Sequence, residues 1–170
     1  MTHTNLKEWD SKSELYSYLS NSSSRLVVGA DTEAPRAYYS FSTERNGIPF
    51  QFGIIVNQRK SPHVLSLPAS QMILVGHDQA ISVVDFANLK LSISKLLDGL
   101  FYEFLSDSAN EQILVVHELG VIALSMTCEV KWSFVSPDVL LNWQIEDGKL
   151  RLDVTDSPAP YLIDLRTGNV

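Results

Sequence analysis

From Arg25 onward, β-branched and aromatic residues arrive in runs of five to seven, separated by turn residues at intervals too short for helices of ordinary length. Such punctuation commits most of the backbone to short antiparallel strands. Twelve segments read as strands: 25–30, 37–43, 50–56, 63–67, 72–76, 81–86, 112–117, 121–126, 130–135, 139–145, 150–154 and 161–165. Asn46-Gly47, Asp147-Gly148 and Thr167-Gly168 are hairpin signals, because glycine takes a positive φ without steric cost. Residues 89–105 begin with a period of two and run on into an apolar stretch. They read as two strands broken at Asp98-Gly99, with a helix as the alternative. Ahead of the strands, Ser11 and Glu14 form a capping-box pattern, and Leu15 and Leu19 share one face, so a short helix is expected over 11–20. Trp9, Tyr16 and Tyr18 are placed over the same core edge, and Asn21-Ser22-Ser23-Ser24 breaks the chain after the helix.

The 170 residues fall within the range of a single domain, read as a helical N-terminal segment (1–24) and a β-rich body (25–170). With 45% hydrophobic and 19% charged residues, the composition is that of a globular chain with a core. The net charge of -7 is unevenly spread: residues 1–100 hold nine acids and nine bases, and residues 101–170 hold eleven acids and four bases. The largest basic run is Arg59-Lys60, which is too little to hold a phosphate backbone or an anionic membrane, so neither nucleic acid nor membrane is expected as a partner. The single cysteine, Cys128, has no disulfide partner in the chain, and the first residues lack the pattern of a secretory signal. The expected compartment is the cytoplasm, and no apolar stretch reaches the ~18 residues needed to span a bilayer.

The segment Ile73-Leu74-Val75-Gly76-His77-Asp78 recurs forty residues later as Ile113-Leu114-Val115-Val116-His117-Glu118. That period is the length of a propeller blade. The second copy continues through Gly120, Val121, Ala123 and Leu124 to Val130, Lys131 and Trp132, and residues 113–132 resemble a blade of the quinoprotein-type β-propellers. Residues 161–168 resemble the same blades through Asp164-Leu165-Arg166-Thr167-Gly168, which reproduces their aspartate and Thr-Gly turn. The two copies are each partial: Trp132 is present where Ser125 replaces the aspartate, and the Thr-Gly turn near the C-terminus has no tryptophan after it. The resemblance implies blade-like hairpins. A closed propeller of at least four blades of ~40–45 residues does not fit beside the helix, so the expected fold is mainly β: antiparallel meanders with propeller-blade-like hairpins in an open sheet or sandwich, with one short N-terminal helix. The quinone cofactor is not carried over, and no cofactor is expected.

No Gly-x-Ser-x-Gly elbow, phosphate loop, dinucleotide fingerprint or Cys-x-x-Cys pair is present. Cys128 lies between Thr127 and Glu129, where a carboxylate discourages thiolate formation, and it reads as a strand or turn thiol. His77 and His117 are each followed by an acid, and together they form the alternative metal site of a metal-assisted or carboxylate-dependent hydrolase. Their spacing is not that of histidine ligands on one strand or helix, and no metal is expected. Glu103, Asp107, Glu111, Glu118 and Glu129 run without a compensating base between residues 101 and 130. With Phe101, Tyr102 and Phe104 beside them, they form a candidate docking surface on which charge would steer a basic protein and aromatics would anchor it. The expectation is a non-enzymatic protein-binding module, such as a small acidic inhibitor or immunity-type protein, or a protomer that completes its sheet with a second copy. Trp132 and Trp143 are expected to be structural.

Overall fold

The structure, a computed structural model, describes residues 4–21, 25–29, 35–45, 48–58 and 60–170. The Asn46-Gly47 turn, the serines at 22–24, Ala30 at the end of the first expected strand and Arg59 of the basic pair lie outside the described residues. The chain folds as two compact units, Met1–Lys95 and Leu96–Val170.

The first unit begins with strand β1 (Asn5–Trp9) and helix α1 (Lys12–Ser20). Ser11 caps the helix: its Oγ accepts the Glu14 N–H at 3.3 Å, and the Glu14 carboxylate reaches back to the Asp10 N–H at 3.2 Å. This is the capping box expected from the sequence, returned one residue earlier than usual. Strands β2 (Val27–Val28), β3 (Ala37–Arg45) and β4 (Ile48–Val56) join β1 in a sheet of order β1-β3-β4-β2, in which only β2 runs parallel to its neighbour. A Cβ on Gly53 of β4 would lie 3.0 Å from Leu19 and 3.2 Å from Leu15, so the missing side chain lets the helix settle on the strand. Trp9 and Tyr18 pack with ring centroids 4.9 Å apart and planes tilted by 38° at this edge, but Tyr16 faces outward, 42% exposed, beneath the Lys12 ammonium. The other face, with Phe41, Phe50, Phe52 and Ile54, packs on Ile73, Val75 and Val84 of the next sheet.

That next sheet, blade I, is a four-stranded meander of β5 (His63–Leu67), β6 (Met72–His77), β7 (Ala80–Asp85) and β8 (Lys90–Leu96). The second unit repeats it as blade II: β9 (Phe101–Asp107), β10 (Gln112–His117), β11 (Gly120–Ser125) and β12 (Val130–Val135). Blade III has three strands, β13 (Leu140–Glu146), β14 (Lys149–Val154) and β15 (Tyr161–Asp164). Residues 89–105 thus divide between β8 and β9 with Asp98-Gly99 between them, in agreement with the two-strand reading. The fold is mainly β and blade-like.

The forty-residue repeat holds at the level of register. Met72 pairs with Asp85 and His77 with Ala80; forty residues on, Gln112 pairs with Ser125 and His117 with Gly120. Blade III follows suit, with Lys149 opposite Asp164. Each third strand ends on a side-chain acceptor that folds the chain back: Asp85 for the Asn88 N–H, Ser125 for the Thr127 and Glu129 N–H groups, and Asp164 for the Arg166 and Thr167 N–H groups. The central strands β6 and β10 are buried along almost their whole length, which explains why they read as unbroken apolar runs instead of alternating ones.

The core of the second unit lies between blades II and III, where Leu114, Val116, Val121 and Ala123 meet Leu140, Leu150, Leu152 and Ile163. Trp132 closes one end of this core. Its indole N–H donates to the Leu165 carbonyl at 3.0 Å, and its ring lies on Gly168, where an added Cβ would come within 2.8 Å. The aspartate and Thr-Gly turn of blade III therefore find their tryptophan on blade II. Thr167-Gly168 does not join two strands, unlike Asp147-Gly148, which turns β13 into β14 with φ of 48° and 75°.

Candidate functional site

The acid after each histidine is occupied in holding its own blade. Asp78 accepts the Asn57 and Gln58 N–H groups at 3.0 and 2.9 Å, on the segment leading into β5, and lies 3.3 Å from His77 Nδ1. Glu118 does the same in blade II by accepting the Leu100 N–H at 3.1 Å, and the Thr155 hydroxyl donates to the Val139 carbonyl in blade III. These are equivalent clasps between the end of a second strand and the entry to the first. His77 and His117 are buried beside them, and no group of three or more His, Cys, Asp or Glu side chains gathers to hold a metal among the described residues. Cys128 sits buried in the turn between β11 and β12, and burial pushes its thiol up to about 11. The cause is burial, where the sequence pointed to the neighbouring carboxylate.

The candidate docking residues are distributed by a bulge in β9. His117 lies opposite Phe101 and Val116 opposite Glu103, so Tyr102 is the extra residue. A bulge turns two successive side chains toward one side of the sheet. Tyr102 and Glu103 accordingly both meet Trp143 of β13: the Tyr102 and Trp143 rings stack at 5.1 Å and 13°, and the indole N–H of Trp143 donates to the Glu103 carboxylate. Burial, and after it the negative charge of Glu118, raises the Tyr102 phenol above its ordinary range, so it remains a neutral hydroxyl. Phe101 is 3% exposed and packs against the half-buried Phe104 at 4.8 Å, so it is an interior side chain and not a presented anchor. Asp107 is also buried, accepting from Asn110 and Gln112.

The remaining acids separate along the strands. Glu103 and Glu118 lie at the end of blade II where β9 starts and β10 finishes, whereas Glu111 and Glu129 occupy the turns at the opposite end, roughly 20 Å away at ~3.3 Å per residue. We call these the entry rim and the far rim. The entry rim of the second unit comprises segments 96–103, 117–121, 135–143 and 154–161, which carry Asp98, Glu103, Glu118, Asp138 and Asp156 and not one Lys or Arg. The far rim mixes its acids with Lys131, Lys149 and Arg166, and Arg151 pairs with Asp153 within blade III. Sequence reasoning therefore found three members of the entry-rim cluster, Tyr102, Glu103 and Glu118, but missed Trp143. Its signal lay in its position three residues into a first strand, near the corresponding position of Tyr102.

No protein-family model matches the chain, and no curated protein matches it by sequence. Among solved structures it is similar to Sqt1 of Saccharomyces cerevisiae, with a TM-score of 0.50 and 11% identity over 82% of this chain and 45% of that one. Similarities to HIRA (TM-score 0.43, 9% identity, 78% of this chain and 43% of that one) and to the glutaminyl cyclase of Myxococcus xanthus (0.36, 8%, 99% and 74%) are also found. The chain spans less than half the length of the Sqt1 structure that it matches. The likeness to Sqt1 is one of fold, and it agrees with the mainly-β, propeller-blade-like hairpins described above.

Proposed function

We propose that the chain is a non-enzymatic protein-binding module that docks a basic partner on the entry rim of its second unit. The observation that carries this reading is the segregation of charge: five acids and no base on one rim, around the partly exposed Tyr102–Trp143 stack. An exposed single-sign rim raises the encounter rate with an oppositely charged protein, and a desolvated aromatic lengthens the life of the complex. The propeller-type architecture is compatible with this role, since blade rims present loops on a rigid scaffold. Within this reading the chain acts as a small acidic inhibitor or immunity-type protein in the cytoplasm. A second copy is the competing occupant.

The test places a photo-cross-linking residue at Asp138 on the entry rim and, in a separate variant, at Glu129 on the far rim. A basic protein captured only from Asp138 supports the reading. Capture from Glu129 alone, or only of a second copy of this chain, overturns it.

A further inference from the structure

Resting on the docking reading above, we infer that the Trp143–Tyr102–Glu103 cluster is the seat for an arginine side chain of the partner. Tyr102 backs the Trp143 ring, and the indole N–H fixes the Glu103 carboxylate at the edge of that ring. Trp143 is half-buried: it packs against the core between blades II and III and stays partly open to solvent. The bond from Trp143 occupies Glu103 Oε1, and no described residue donates to Oε2. An aromatic plane with a carboxylate fixed at its rim matches a guanidinium in two respects: the planar cation stacks on the ring, and an N–H at its edge donates to the free oxygen. A lysine ammonium satisfies the carboxylate but has no plane to stack.

The charge distribution favours this occupant. The only ion pair of the second unit among the described residues is Arg151–Asp153, and Lys131 is engaged with the Asn110 carbonyl at 2.8 Å, so no base of the unit neutralises Glu103. The Glu118 carboxylate adds to the negative field at Tyr102 while remaining fixed to the Leu100 N–H. Gly99 makes that arrangement possible, because a Cβ there would lie 2.7 Å from the Glu118 Cβ.

The experiment tracks the indole N–H resonances of Trp9, Trp132 and Trp143 in the full chain during titration with the capped tripeptide Gly-Arg-Gly and its lysine and citrulline counterparts. The arginine peptide is expected to shift the Trp143 signal saturably and to leave the other two in place. The lysine peptide should bind several-fold more weakly and the neutral citrulline peptide should not bind. Glu103→Gln keeps an acceptor for the indole but removes the charge, and should weaken the arginine peptide by about tenfold or more. Equal response to arginine and citrulline, an unmoved Trp143 signal, or unchanged affinity in Glu103→Gln overturns the inference. If the peptide fails while Asp138 still cross-links a basic protein, the arginine seat is lost and the docking reading stands; if both fail, both are lost.

Discussion

Gly168→Ala should destabilise the protein far more than Gly148→Ala, although the two glycines have nearly the same φ. Gly148 has φ +75° with nothing within 4 Å of the point a Cβ would occupy, and Gly168 has φ +76° with three atoms of the Trp132 ring between 2.8 and 2.9 Å from that point. Both substitutions incur the left-handed penalty of an L-residue, about 1–2 kcal/mol. Only Gly168→Ala also drives a methyl into a buried indole held by its bond to the Leu165 carbonyl, which adds ~1–3 kcal/mol of overpacking. The expected loss is therefore roughly 2–5 kcal/mol against about 1–2 kcal/mol, measured by urea unfolding monitored by far-UV circular dichroism. In a Trp132→Ala background the extra cost of Gly168→Ala should vanish, leaving the Gly148 value. Equal costs for the two glycines in the wild-type background would mean that Trp132 does not rest on the turn and that blades II and III are not locked there.

Trp132→Ala alone should cost ~3–5 kcal/mol in the same assay, because it empties a core site and removes a donor from the Leu165 carbonyl. The Asp164 carboxyl is held below its ordinary range mainly by the Thr167 hydroxyl and then by the Thr167 N–H, so its support of the turn is complete above the usual aspartate range and is lost as pH falls through the lowered value. Carboxyl NMR titration should show that low midpoint, and Thr167→Val should move it back up. For Cys128, a folded thiol near 11 and a lower unfolded one make the native state hold the extra proton between those values, so stability should fall as pH rises from ~8.5 toward 11. Alkylation at about pH 8, just below the ordinary thiol range, should accordingly be slow in the native protein and fast in urea, and Cys128→Ser should abolish labelling.

Much of the architecture was legible because local signals and packing agree. Val130–Val135 and Gln112–His117 carry their boundaries in plain apolar runs, and the Asp98-Gly99 break falls where β8 has ended and β9 has yet to begin. Strand β1 was not legible, since its residues are mostly exposed and show no alternation, and it is specified by its pairing with β3. Thr167-Gly168 misled as a hairpin signal because a glycine at positive φ marks a turn without requiring a strand after it. The site was half legible for a related reason. Acids can be counted in a sequence, but a one-residue bulge at Tyr102 decides which of them meet an aromatic, and the strand directions decide which rim each occupies. Proximity in sequence joined Glu103 to Glu111; the fold places them at opposite ends of β9 and its turn.

The most direct test of the docking account is the salt dependence of the association rate between this protein and the basic protein cross-linked from Asp138. It is measured for wild type, for Asp138→Lys with Asp156→Lys on the entry rim, and for Glu111→Lys with Glu129→Lys on the far rim. All four positions are partly or fully exposed, so folding should survive the reversals. The entry-rim pair is expected to slow association and flatten its salt dependence, while the far-rim pair should change both much less despite an identical change in net charge. Equal effects from the two pairs, or a wild-type rate indifferent to salt, would contradict it.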